Sequence, residues 1–252
     1  MEVIQKDLTT TTCQDSNLEY PLDVGYASGA LVATTMMICG GEGERACYSF
    51  DKQNKQWKYL TEISSDRKYA VAIPISNGVW INGGFPPSAT TEFIFLNGSK
   101  IAGPQLPTEI SGQCVVHYKN IAFFLGGRNR DRTAESTVRI INVKDGFRYI
   151  GEGPNMNHHR FGHACGIFKS EQHGYRPVIV VAGGFGGDGT QSSEYWDFTM
   201  PGSKWELCSK TSLFQQECLS FYMFLRCLID CLLQTNSVES KCCKQKLSLM
   251  LQ

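Results

Sequence analysis

Four times along the chain a largely apolar run ends in a pair of glycines. The runs are Met36-Met37-Ile38-Cys39-Gly40-Gly41, Val79-Trp80-Ile81-Asn82-Gly83-Gly84, Ala122-Phe123-Phe124-Leu125-Gly126-Gly127 and Val178-Ile179-Val180-Val181-Ala182-Gly183-Gly184. The first glycines fall at 40, 83, 126 and 183, an interval of 43 residues twice and then of 57. Recurrence on that scale marks stacked supersecondary units rather than one continuous core. Within each run apolar residues succeed one another instead of alternating with polar ones, which predicts a strand covered on both faces.

The segments after each glycine pair also recur in order. A polar loop leads to Cys47-Tyr48-Ser49-Phe50, Glu92-Phe93-Ile94-Phe95-Leu96, Val138-Arg139-Ile140-Ile141 and Glu194-Tyr195-Trp196-Asp197-Phe198. A second turn then leads to Trp57-Lys58-Tyr59-Leu60, Phe147-Arg148-Tyr149-Ile150 and Trp205-Glu206-Leu207, with only Ile101 in the second unit. Strand-like stretches at 70–76, 112–119 and 162–169 precede the later glycine pairs. Four short strands per unit, separated by turn residues, predict propeller blades ending near residues 60, 106, 154 and 208.

The diglycine after an apolar run, the aromatic residue some way on and the later tryptophan, as at Trp57 and Trp205, make residues 20–208 resemble a kelch-repeat protein. The resemblance implies an all-β, kelch-type propeller of four blades, with Gly40, Gly41, Gly83, Gly84, Gly126, Gly127, Gly183, Gly184, Trp57 and Trp205 as repeat markers. Propellers commonly have about four to eight blades. A small closed ring, an incomplete ring and a shortened member of a larger-ring family are therefore all open. The chain departs from the repeat where the second unit lacks its tryptophan, and no fifth glycine pair comes after residue 208.

The flanks are different. Residues 1–19 are polar, with no apolar stretch able to act as a signal peptide, so the cytoplasm is the default expectation and a secreted form is left open. Residues 209–252 form a cysteine-rich tail holding Cys218, Cys227, Cys231, Cys242 and Cys243. Its Leu213–Leu233 stretch has helix-compatible spacing, but Glu217, Arg226 and Asp230 argue against a membrane span. A helix packed on the propeller or a poorly ordered extension is the expectation, with a partner-binding helix as the alternative. Cys39 and Cys47 flank one loop on consecutive strands and can bridge in an oxidising compartment; without a secretion signal, buried thiols are expected. The sequon Asn97-Gly98-Ser99 matters only for a secreted chain.

Charge and motif chemistry point away from catalysis. With 24 basic and 24 acidic residues there is no bulk field to draw nucleic acid or membrane. Gly184-Phe185-Gly186-Gly187-Asp188-Gly189 matches a dinucleotide fingerprint, but a strand-like segment comes next where a helix N-terminus is needed. His159 and His163 lack a third metal ligand, and no nucleophile elbow is present. No cofactor, metal or catalytic residue is expected.

The resemblance implies a protein-binding scaffold whose loops read acidic peptide segments through arginine and asparagine. The candidates are Arg67, Arg128, Asn129, Arg130 and Arg160, since guanidinium groups pair with carboxylates through two hydrogen bonds. The alternative is a propeller enzyme of the sugar-epimerase or oxidase kind. Against a copper oxidase, His117, His158, His159, His163 and His173 gather near one blade.

Overall fold

A computed structural model describes residues 20–169, 174–186 and 192–208. The chain forms an all-β propeller of four blades, each a four-stranded antiparallel sheet, and the described residues contain no helix. The first blade holds β1 (Ser28–Val32), β2 (Thr35–Gly41), β3 (Glu44–Asp51) and β4 (Gln56–Glu62). The second holds β5 (Val71–Ile75), β6 (Gly78–Asn82), β7 (Thr91–Phe95) and β8 (Lys100–Ala102). The third holds β9 (Cys114–Tyr118), β10 (Ile121–Leu125), β11 (Val138–Asn142) and β12 (Arg148–Glu152). The fourth holds β13 (Ala164–Lys169), β14 (Pro177–Ala182), β15 (Ser193–Trp196) and β16 (Glu206–Leu207). The expected tail helix lies outside the described residues.

The unbroken apolar runs are explained by the two-residue period of a strand, which sends successive side chains to opposite faces. In β10, Ala122 and Phe124 join the core shared with the second blade, whereas Phe123 and Leu125 join the core shared with the fourth. In β6, Val79 and Ile81 face the first blade and Trp80 faces the third. Each of these two runs is therefore the middle layer of two wedges.

Missing its tryptophan, the second blade exposes Ile101 at 56%. Its junction with the third blade is filled instead by fully buried Trp80, ringed by Phe93, Phe124 and Phe147 at centroid distances of 4.6–6.0 Å. Trp205 packs in the next junction, 5.9 Å from Trp196, and its indole N–H donates to the Pro154 carbonyl at 2.9 Å.

The glycine pairs turn the chain from the second strand toward the propeller axis. Gly40, Gly83, Gly126 and Gly183 all sit in the left-handed region, with φ between 56° and 67°. At the next position a Cβ on Gly84 would lie 2.9 Å from the Arg67 Cβ, and one on Gly41 would lie 2.4 Å from Val24 Cγ2. Conformation and close approach thus both require glycine.

A second repeated backbone feature joins the blades. Tyr26, Tyr69, Gly112 and Gly162 stand at equivalent places just before the innermost strands, with φ of 62°, 58°, 61° and 60°. Their amides link successive blades, Tyr69 N–H to the Tyr26 carbonyl (3.2 Å), Gly112 to Tyr69 (2.9 Å) and Gly162 to Gly112 (2.7 Å). Among the described residues no such bond returns from Gly162 to Tyr26, and no core cluster joins the fourth blade to the first.

Candidate functional site at the axial mouth

Because each glycine pair redirects the chain inward, the four residues just after the pairs, Glu42, Phe85, Arg128 and Phe185, come together at one end of the propeller. Each is held by backbone bonds to a lead-in segment: Glu42 N–H to Gly25 (3.0 Å), Phe85 to Lys68 (2.6 Å), Arg128 to Ser111 (2.7 Å) and Phe185 to Phe161 (2.8 Å). Their positions are therefore set by main chain and not by the side chains they carry. This leaves the side chains free to differ, and the arrangement is a rigid frame for recognition.

The side chains make a continuous strip across all four blades. Glu42 pairs with Lys68, whose ammonium lies 5.5 Å from the Phe85 ring centroid. Arg128 comes next, its guanidinium carbon 5.8 Å from the Phe85 centroid and 5.3 Å from that of Phe161. Phe161 in turn packs on Phe185 at 5.6 Å, and Phe185 is 62% exposed. Beside the strip, the rings of Tyr26 and Tyr69 lie 4.2 Å apart. Burial, helped by a hydrogen bond to Tyr26, raises the Tyr69 phenol above its ordinary range, so it stays protonated at neutral pH.

Arg128 is the distinctive member. Two phenyl faces hold the guanidinium by cation–π attraction, yet among the described residues its side chain has neither a hydrogen bond nor an ion pair, and its Nε is buried without a partner. A cation orientated in this way presents a flat fork of donors to whatever lies above the mouth.

The structure separates the other expected arginines. Arg67 is only 4% exposed and donates from Nη1 to the carbonyls of Gly83 (3.1 Å) and Thr90 (2.8 Å). Arg160 is fully buried: Nη1 donates to the carbonyls of Gly183 (2.7 Å) and Ser192 (3.0 Å), and Nε to Glu194 Oε1 (3.0 Å). Both clamp a diglycine turn to the loop after it, so neither offers a guanidinium to solvent. Both were expected to read a partner's carboxylates, and their guanidinium groups instead serve a common internal clamp.

Asn129 and Arg130 lie on the loop beyond Arg128. The Asn129 Oδ1 accepts the Thr133 N–H at 3.0 Å and so closes its own loop. Arg130 has an 82% exposed side chain and reaches Glu109 at 3.6 Å. Of the five candidates, Arg128 alone belongs to the strip. Lys68, Phe85, Phe161, Phe185, Tyr26 and Tyr69 were not expected from the sequence, although the place of Phe85 and Phe185 directly after their glycine pairs, and of Tyr26 and Tyr69 at the same distance before theirs, was a usable signal.

His163 lies behind the mouth without a partner at either ring nitrogen. Burial and the adjacent Arg160 charge pull its pKa down to about 3, so it is neutral. Among the described residues no group of three or more His, Cys, Asp and Glu is placed to hold a metal.

The cysteine expectation is overturned. Cys39 and Cys47 are directly opposed on β2 and β3 with Cα atoms 4.1 Å apart, and they form a disulfide. A second disulfide joins Cys114 on β9 to Cys165 on β13, with Cα atoms 6.0 Å apart. Sequence separation concealed this second pair, 51 residues apart but side by side on adjacent inner strands. No described helix is long and apolar enough to cross a membrane.

No family model matches the sequence, and no curated protein matches it. Solved structures do, through the fold, in 235 chains. One, described as the structure of YjhT, superposes with a TM-score of 0.63 at 17% identity, over 77% of this chain and 67% of that one. At such identity the likeness shows the propeller fold and nothing finer.

Proposed function

We propose that the chain is a kelch-type, non-enzymatic protein-interaction module that binds a partner segment at the axial mouth. The observation carrying this reading is Arg128, a half-buried guanidinium between Phe85 and Phe161 with no anion of its own among the described residues. A partner carboxylate satisfies its donors at little ordering cost, because the rings already fix the side chain. Phe185 supplies an adjoining apolar contact, and aromatic and arginine residues are the usual anchors of interfaces. The fitting partner is an acidic peptide segment carrying an apolar side chain next to its carboxylate. With zero formal net charge, attraction must come from this local patch.

The test is capture of binding partners by the wild-type chain, by Arg128→Ala with Phe185→Ala, and by Arg130→Ala as a surface control outside the strip. Circular dichroism first establishes that all are folded. Partners retained by wild type and Arg130→Ala but weakened tenfold or more by the double variant support the mouth. Equal capture by all three refutes it.

A further inference from the structure

We infer that the folded chain resides in an oxidising, glycosylating compartment and carries an N-linked glycan on Asn97, at the end of the propeller opposite the mouth. Two independent features meet here, one among the strands of the blades and the other on a surface hairpin.

The first is the cysteine pairing. Of the five cysteines among the described residues, Cys39, Cys47, Cys114 and Cys165 form two disulfides. One bridge lies within a blade, where the strand register sets Cys39 opposite Cys47, and the other joins the innermost strands of two neighbouring blades. Such bonds persist in the secretory pathway and outside the cell, and are rare where cytosolic reductants act.

The second is the state of the chain's single Asn-x-Ser/Thr site, Asn97-Gly98-Ser99. It forms the turn between β7 and β8. Because β6 runs toward its glycine pair at the mouth and β7 runs back, this turn lies at the far end. Gly98 takes the φ of 84° that closes the turn, and Phe95 N–H bonds to the Ser99 carbonyl at 2.9 Å. Asn97 is exposed, and its Oδ1 accepts both the Ser99 N–H at 3.0 Å and the Ser99 hydroxyl at 2.7 Å. Its Nδ2, the atom that would carry the sugar, makes no hydrogen bond among the described residues. The amide is thus anchored by its oxygen and free at its nitrogen, so a glycan displaces no contact of the fold.

In the modification, Asn97 Nδ2 attacks C1 of an oligosaccharide borne on a polyisoprenyl diphosphate. The Nδ2–C1 bond forms as the C1–O bond to the diphosphate breaks. The amide proton passes to a carboxylate of the transferase, and the polyisoprenyl diphosphate leaves. The sugar then shields the outer end of the second blade, including exposed Ile101, and leaves the mouth clear.

The test begins with the full chain isolated from its natural source. It is alkylated without reductant, digested, and mapped by mass spectrometry before and after peptide-N-glycosidase. The expected result is a glycan on the Asn97 peptide, converted to aspartate on release, with Cys39, Cys47, Cys114 and Cys165 protected from alkylation. An unmodified Asn97 overturns the glycan, and alkylation of those four thiols overturns the compartment. In a secretory host, Ser99→Thr should retain the glycan and Ser99→Ala should lose it, with both variants folded. Glycan-free Ser99→Thr also counts against the site.

Discussion

At the scale of single residues, His163 shows how burial becomes pH dependence. Its unfolded pKa is near the ordinary 6.5, whereas in the fold burial and Arg160 depress it to about 3. Above 6.5 the imidazole is neutral in both states and its full contribution to stability is present. Between 6.5 and about 3 the unfolded chain binds a proton that the folded chain does not, so stability falls with falling pH. The slope from this one group reaches about 1.4 kcal/mol per pH unit. Replacing His163 with glutamine, the residue at the equivalent position in the third blade, Gln113, should remove that component. Urea unfolding in mildly acid and neutral buffers should show a smaller acid loss for the variant than for wild type. Parallel pH profiles would show that His163 is not held neutral by the fold. At this scale the sequence was least legible. Arg67, Arg160 and Arg128 read alike as arginines near glycine pairs, and only the position of carbonyl groups and phenyl rings distinguishes two internal clamps from one outward-facing cation.

The strands themselves were legible, because apolar periodicity and turn residues are local signals. The lateral relation between strands of different blades was not. The Cys114–Cys165 disulfide belongs to that relation: β9 and β13 are remote in sequence and adjacent only once blades three and four pack. Loop closure across 51 residues implies about 4 kcal/mol of stabilisation, against about 2.5 kcal/mol for the 8-residue separation of Cys39 and Cys47. The paired substitution Cys114→Ser with Cys165→Ser should therefore lower the unfolding free energy more than Cys39→Ser with Cys47→Ser. Denaturant titrations of the two double variants decide this, and a reversed order would show that local packing outweighs chain entropy. Trp80 makes the same point from the opposite side. The second repeat lacks the tryptophan of the repeat pattern, and an aromatic from β6 fills the wedge in its place.

Among the described residues of the whole molecule the buried apolar side chains fall into separate clusters, three at the successive junctions of blades and a fourth within the last blade. No cluster spans three blades, so stability is transmitted from neighbour to neighbour, as in a repeat array. Trp80→Ala should cost about 3–5 kcal/mol by opening a cavity between blades two and three. Its effect on hydrogen exchange should also be graded by distance along the series. Amides of β6 and β10, which line that junction, should lose most protection. Those of β14, whose Ile179 and Val181 belong to the junction beyond, should stay slow. The backbone bonds from Tyr26 through Tyr69 and Gly112 to Gly162 provide a competing route, because they cross every junction on one side of the axis. If that ladder governs cooperativity, exchange should rise uniformly in all four blades. Mapping exchange by mass spectrometry in wild type and Trp80→Ala separates the two outcomes. A graded response assigns the coupling to side-chain wedges, and a uniform one assigns it to the axial backbone that also frames the mouth.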